Sequence, residues 1–158
     1  MLLTQKKKTI KRIKNCFFVF DWRKEKITKI FKKFFLRRMP SLVVEININR
    51  SQFEEKLGPF AEEFVPKVAE ILSKPKNLVL CTFRNNFMGM LMDNDPAPCA
   101  LAEITCIGGI NLENNTKLSE AFAAALQTHF GIPKERYFLT FRDISAENCG
   151  WGGKTFAN

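Results

Sequence analysis

Sliding the sequence against itself by 58 residues aligns residues 40–84 with 98–142 without a gap, and this internal repeat constrains the fold more than any other feature. Identical pairs include Pro40/Pro98, Glu45/Glu103, Ile46/Ile104, Glu62/Glu120, Phe64/Phe122, Pro75/Pro133 and the run Thr82-Phe83-Arg84/Thr140-Phe141-Arg142. Eleven of the 45 aligned pairs are identical, against roughly three expected from ordinary residue usage. Duplication is the economical explanation.

Each unit reads strand, helix, strand. "LVVEININ" (residues 42–49) alternates and is β-branched, and its counterpart "ALAEITCI" (residues 100–107) is a nearly continuous apolar run. In the first unit Gly58 and Pro59 mark a helix start, with Phe60, Phe64, Val68, Ile71 and Leu72 following at three- and four-residue steps. Pro66 should kink that helix, at a cost of about 3 kcal/mol unless the site accommodates it. The second helix carries Leu118, Phe122, Ala125, Leu126 and Phe130 on one side and stops at Gly131. His129 lies in its last turn, where a cation suits the helix dipole. The closing strands are "NLVLCTFR" (residues 77–84) and "RYFLTFRD" (residues 136–143). Two such units with right-handed crossovers make an α/β (α+β) fold: a four-stranded mixed sheet with two helices on one face. The other face is left bare. Because "LVLC" and "YFLTF" are apolar on both alternating sides, a second copy of the chain is expected to cover it.

Charge divides the chain at the same place. Residues 1–38 hold 14 Lys and Arg against Asp21 and Glu25, whereas residues 39–158 hold 11 against 14 acids. The basicity belongs to the extension, and the repeat region has no electrostatic footprint for nucleic acid. Within the extension, "KEKITKIFKKFFLRR" places Ile27, Ile30, Phe31, Phe34 and Phe35 at helical spacing among lysines. It reads as a disordered leader or upstream sequence outside the working protein, or as a loose amphipathic helix that is a membrane-surface anchor or organellar presequence. No apolar run approaches the roughly 20 residues of a membrane span. "CFFVF", stopped by Asp21, is too short for a signal peptide. The five cysteines form no CxxC pair and their odd number is a poor disulfide framework, so reduced thiols are expected. His129 is the only histidine, which argues against a clustered metal site and against His-dependent triads.

With Met39-Pro40, Lys74-Pro75, Pro98-Cys99-Ala100-Leu101, Ile107-Gly108 and the ending Asn148-Cys149-Gly150-Trp151 … Thr155-Phe156-Ala157, residues 39–158 resemble the macrophage migration inhibitory factor family of the tautomerase superfamily. The resemblance implies a homotrimer of duplicated βαβ units. It implies a cofactor-independent keto-enol tautomerase acting on phenylpyruvate- or dopachrome-like substrates, with an N-terminal proline, here Pro40, as base. It also implies that Lys74 holds the substrate carboxylate and that Ile107, Cys149, Trp151 and Phe156 line the pocket. Apart from the resemblance, Lys74 reads as a solvated lysine after a helix, Ile107 as strand core, and Trp151 and Phe156 as interface packing. Phe138 stands where the family often has a tyrosine, and Thr140 where it often has an asparagine, so both substrate preference and rate are open. Cys99 matches the first cysteine of a CxxC found in some members, but Ala102 replaces the second, which disfavours dithiol redox chemistry.

The resemblance meets one conflict. An acylated proline nitrogen has its lone pair delocalised into the carbonyl and is not a base. Either the working chain begins at Pro40, which the composition break favours, or the tautomerase site is dead. The alternative functions are a cytokine-like extracellular protein acting on a cell-surface receptor, and a membrane-tethered binding module using residues 1–38. The family implies both cytoplasmic and extracellular locations, reached without a signal peptide.

Overall fold

The computed structural model describes residues 39–157, so every reading of residues 1–38 lies outside the described residues. Its elements are β1 (Ser41–Ile46), α1 (Arg50–Ile71), β2 (Leu80–Asn85), β3 (Ala100–Cys106), α2 (Leu112–Phe130), β4 (Tyr137–Asp143) and a small C-terminal hairpin, β5 (Gly150–Trp151) with β6 (Lys154–Thr155). The four long strands form one sheet in the order β2-β1-β3-β4. Pairing is parallel within each unit and antiparallel between β1 and β3. Duplicated βαβ units therefore make a four-stranded mixed sheet, as the repeat requires.

The sheet carries the pseudo-twofold of the repeat at its centre. Val44 pairs with Ala102, its own counterpart 58 residues on. The closing strands depart from that symmetry by a small step. Leu80 pairs with Ser41, whereas its counterpart Phe138 pairs with Leu101, the counterpart of Val43. A slip of two residues is one full pleat, so each side chain stays on its own face.

Helix α1 starts earlier than Gly58-Pro59 suggests. The Asn49 side chain accepts from the Gln52 amide and caps a helix of 22 residues that contains both Pro59 and Pro66. Each proline deprives the carbonyl four residues back of its intrahelical donor. Those residues, Glu55 and Glu62, are exposed, so water can take the missing place and the helix continues. The opposite stripe, Phe53, Phe60, Phe64 and Val68, is buried. Helix α2 behaves as its spacing predicts: Leu118, Phe122, Ala125, Leu126 and Phe130 are buried, and Gly131 ends it at φ 69°.

These stripes meet Leu42, Val44 and Ile46 of β1 and Ala100, Ala102, Ile104 and Cys106 of β3 in one core. Phe60 is its aromatic hub, with ring centroids 5.2 Å from Phe130, 5.6 Å from Phe64, 5.9 Å from Phe83 and 6.2 Å from Phe122. Across the two helices His129 Nε2 lies 2.7 Å from Glu63 Oε2, and Lys67 donates to the other carboxylate oxygen at 2.7 Å. The Lys67 ammonium, and then His129, hold the Glu63 carboxyl below the usual carboxylate range.

The alternate sheet face is uncovered in the described chain. Leu80, Leu101 and Phe138 lie exposed on it, beside a hollow of about 240 Å³ lined by Val43, Glu45, Leu101, Ala102, Glu103 and Thr140. Two repeat-related ion pairs cross it, Arg84 to Glu45 at 2.9 Å and Arg142 to Glu103 at 3.1 Å. Each is exposed enough to contribute at most about 1 kcal/mol. Between the units, the loop from Asn86 to Cys99 is fixed at its base. Buried Asn47 donates to the carbonyls of Met90, Pro96 and Ala97 and accepts from the Cys99 amide at 2.8 Å. Arg136 binds the Asp95 carboxylate at 3.0 Å and the Ala97 carbonyl at 2.8 Å.

Candidate active site

Three of the residues that the sequence singles out converge because of strand direction. The antiparallel pairing of Ser41 with Thr105 sets the start of β1 beside the end of β3. Pro40 therefore comes to the end of the sheet where Ile107 leaves it. Pro40 is fully buried, and its carbonyl accepts from the Leu80 amide at 3.0 Å, tying it to the start of β2 as well. Lys74 reaches the same end from the loop after α1. Ser73 reverses the chain at φ 52°, the Lys74 amide returns to the Ala69 carbonyl at 2.7 Å, and Lys74 Nζ donates to the Ile107 carbonyl at 3.1 Å. In the chain as it stands the Pro40 nitrogen is acylated by Met39.

The segment from Cys106 to Gly109 is held at three of its peptide groups. The Cys106 carbonyl accepts from the Ile144 amide at 3.0 Å, the Gly108 amide donates to Asp143 Oδ1 at 2.8 Å, and Asn114 donates to the Gly109 carbonyl at 2.8 Å. Gly108 and Gly109 turn at φ 68° and 92°, a region that other residues rarely enter. A Cβ on Gly109 would stand 3.5 Å from the Leu72 carbonyl and 3.8 Å from Lys74 Cε. Beneath this loop, burial pushes the Cys106 thiol up, with the Lys74 ammonium acting in the opposite direction and the Asp143 carboxylate adding to the rise. The thiol stays protonated and is a poor nucleophile. Asp143 and Asn114 escaped sequence reasoning. The paired glycines directly after an apolar strand were the available signal, and they point to the turn without naming what holds it.

A single chain does not bring Phe138 and Thr140 to Pro40. Phe138 pairs with Leu101, which pairs with Glu45. Pro40 is five residues back along β1, so Phe138 lies about 16 Å away along the strand direction alone. Phe138 is 64% exposed on the open face, and Thr140 donates to the Ala102 carbonyl at 3.3 Å on the same face. Cys149 and Phe156 belong to the C-terminal segment, where the Phe156 amide donates to the Cys149 carbonyl at 2.9 Å, and Trp151 projects from β5, 68% exposed. Among the described residues, Cys81, Cys99, Cys106 and Cys149 are free thiols. No group of three or more His, Cys, Asp or Glu among the described residues is placed to hold a metal.

The chain and its fold have parallels among known proteins. The family model described as "Macrophage migration inhibitory factor (MIF)" matches residues 39–157. Mouse macrophage migration inhibitory factor is 29% identical over 120 residues, covering 75% of this chain and 100% of that protein. The homologue from Trichinella spiralis is 28% identical over 118 residues, covering 75% of this chain and 100% of that protein. Among solved structures, the Trichinella spiralis factor superposes with a TM-score of 0.65 at 26% identity, covering 73% of this chain and 98% of that one. The factor from Toxoplasma gondii superposes with a TM-score of 0.61 at 27% identity over 73% and 98%. With the match running from Met39 to Ala157, this chain belongs to the macrophage migration inhibitory factor family of the tautomerase superfamily.

Proposed function

We propose that the chain is a cofactor-independent keto-enol tautomerase of small aromatic α-keto acids or dopachrome-like compounds, with Pro40 as its base once Met39 has been removed. The observation that carries this reading is the convergence of Pro40, the Lys74 ammonium and the Ile107 carbonyl at one end of the sheet, with Lys74 Nζ fixed 3.1 Å from that carbonyl. A buried secondary amine has a free lone pair and little competition from water. A neighbouring ammonium disfavours a second positive charge, which keeps the amine in its basic form.

In the reaction, the Pro40 nitrogen takes a proton from the carbon next to the substrate carbonyl. The C–H electron pair becomes the C=C bond of the enol, the carbonyl π pair moves to oxygen, and that oxygen takes up a proton. Lys74 pairs with the substrate carboxylate and holds the acidic C–H toward Pro40. Phe138 and Thr140, about 16 Å away along the strand direction in their own chain, reach this pocket as contributions from a neighbouring copy. The bare sheet face favours such an assembly, as a homotrimer. Phe138 offers the aromatic ring an apolar wall and no hydrogen-bond donor. Trp151 and Phe156 supply further aromatic walls, with Ile107 and Cys149 completing the apolar lining.

The test is phenylpyruvate turnover by a chain starting at Pro40 against the same chain with Met39 verified in place. Loss of the base is expected to cost 10²- to 10⁴-fold, roughly the usual worth of a positioned acid–base group. Equal turnover by the Met39-bearing form would overturn the mechanism.

A second reading rests on the acylated Pro40 nitrogen in the chain as it stands: a cytokine-like protein acting through its surface on a cell-surface receptor, with cytoplasmic and extracellular pools. Among the described residues no helix is long and apolar enough to cross a membrane. Pro40→Gly separates the readings, since it abolishes turnover in the first and leaves signalling intact in the second.

A further inference from the structure

The Gly108 amide and the Ile107 carbonyl belong to one peptide group. Its N–H points to Asp143 Oδ1 at 2.8 Å and its C=O receives Lys74 Nζ at 3.1 Å. A trans peptide is planar with N–H and C=O on opposite sides, so fixing one direction fixes the other. The group has unusual freedom to turn over, because the residue after it is Gly108 at φ 68° and the next is Gly109 at φ 92°. Neither nearby hydrogen bond prevents rotation of this particular plane, because Ile144 holds the peptide before it, at the Cys106 carbonyl, and Asn114 holds the Gly109–Ile110 peptide, the second one after it, at the Gly109 carbonyl. Asp143 is well placed to be the lock. It is the last residue of β4, pairs with Cys106 across the ladder, and is exposed, so its carboxylate has no part in the core.

We propose that Asp143 is a positioning residue of the tautomerase site: its carboxylate stops the Ile107–Gly108 peptide from flipping, and so keeps the Ile107 carbonyl aimed at Lys74 and the ammonium at the Pro40 end of the sheet. This rests on the tautomerase reading for its catalytic consequence, but not for its structural content. A carboxylate acceptor also polarises the peptide, making the carbonyl a stronger acceptor for the ammonium through the same conjugated group.

The experiment uses the full chain with Asp143→Ala and Asp143→Asn. Two readouts are independent of turnover: hydrogen exchange of the Gly108 amide, and the rate at which Lys74 is methylated by formaldehyde with a borohydride reductant. Asp143→Ala is expected to raise both by about tenfold, the worth of one hydrogen bond to a charged group. Asp143→Asn keeps an oxygen acceptor and is expected to stay within about threefold of the parent. In the form that turns over phenylpyruvate, Asp143→Ala raises KM by about tenfold and leaves kcat within about twofold, as loss of substrate positioning by Lys74 requires. Unchanged Gly108 exchange and Lys74 reactivity in Asp143→Ala would overturn the proposal, as would equal effects of Ala and Asn on both. If the parent shows no turnover, the tautomerase reading fails while the exchange and methylation results still decide the role of Asp143. Should Asp143→Ala fail to fold, Asp143→Ser, whose oxygen is one bond closer to its own backbone and cannot reach Gly108, makes the same comparison.

Discussion

Replacing Phe60 with alanine removes the ring on which the two helices and the sheet converge. The side chain is fully buried and contacts the rings of Phe64, Phe83, Phe122, His129 and Phe130. Truncation loses the transfer free energy of the ring and leaves a cavity among neighbours that are themselves large and locked, so the cost should fall in the usual range for buried Phe→Ala, about 4 kcal/mol. A unit of roughly 120 residues unfolds with an entropy of about 250 cal/mol/K, so that cost lowers Tm by about 16 °C. The assay is a thermal melt followed by far-UV circular dichroism, with parent and variant at the same chain concentration, because self-association raises apparent stability. Phe87→Ala is the control, since Phe87 is half exposed in the loop between the units and should shift Tm by less than about 2 °C. A drop of under about 5 °C for Phe60→Ala would mean that the helices do not meet the sheet through this ring, and the account of the core would fail.

Asn47→Ala leaves the carbonyls of Met90 and Pro96 without their donor, and should cost about 1–3 kcal/mol while raising hydrogen exchange in the loop from Asn86 to Cys99. The Glu63 carboxyl has a folded-state pKa lowered by Lys67 and His129, so between the two values the unfolded state binds the extra proton. Its stabilisation is complete above the ordinary value of 4.5 and is lost as pH falls through the lower folded value; denaturant titrations should therefore show Glu63→Gln losing less stability than the parent between pH 7 and pH 3. Lys74→Met should raise KM for phenylpyruvate by about tenfold or more, the worth of a charge-assisted contact to a carboxylate, and an unchanged KM would remove Lys74 from the substrate site.

Where residue type and period agree, the sequence was readable. Helix α2 has no internal proline, an Asn cap and a glycine stop, and its buried stripe is the one that the spacing marks. Helix α1 hid its start because Gly58 and Pro59 look like punctuation, although Asn49 three residues before Gln52 has the spacing of a capping box. Prolines whose orphaned carbonyls face solvent cost less than prolines in a buried stripe, and the pattern alone does not tell the two apart until the face is known. The strands were placed to within a few residues, but the two-residue slip of Phe138 relative to Leu80 was invisible, since alternation is unchanged by an even shift. Of the candidate site, Pro40, Lys74 and Ile107 were named by resemblance; strand direction sets Pro40 beside the end of β3, and the turn after α1 brings Lys74 to the Ile107 carbonyl. The Asp143 contact was not legible, because it depends on which strand end meets which turn. Phe138 and Thr140 stand on a face that one chain leaves open, so no reading of a single copy joins them to Pro40.

The central claim is that the Pro40 nitrogen is an amine in the working protein. Intact mass of the phenylpyruvate-tautomerising fraction purified from the producing cells tests it most directly, since it reports the first residue of the active species. The account predicts a polypeptide beginning at Pro40. An active fraction in which every molecule still carries Met39 on that nitrogen would contradict it.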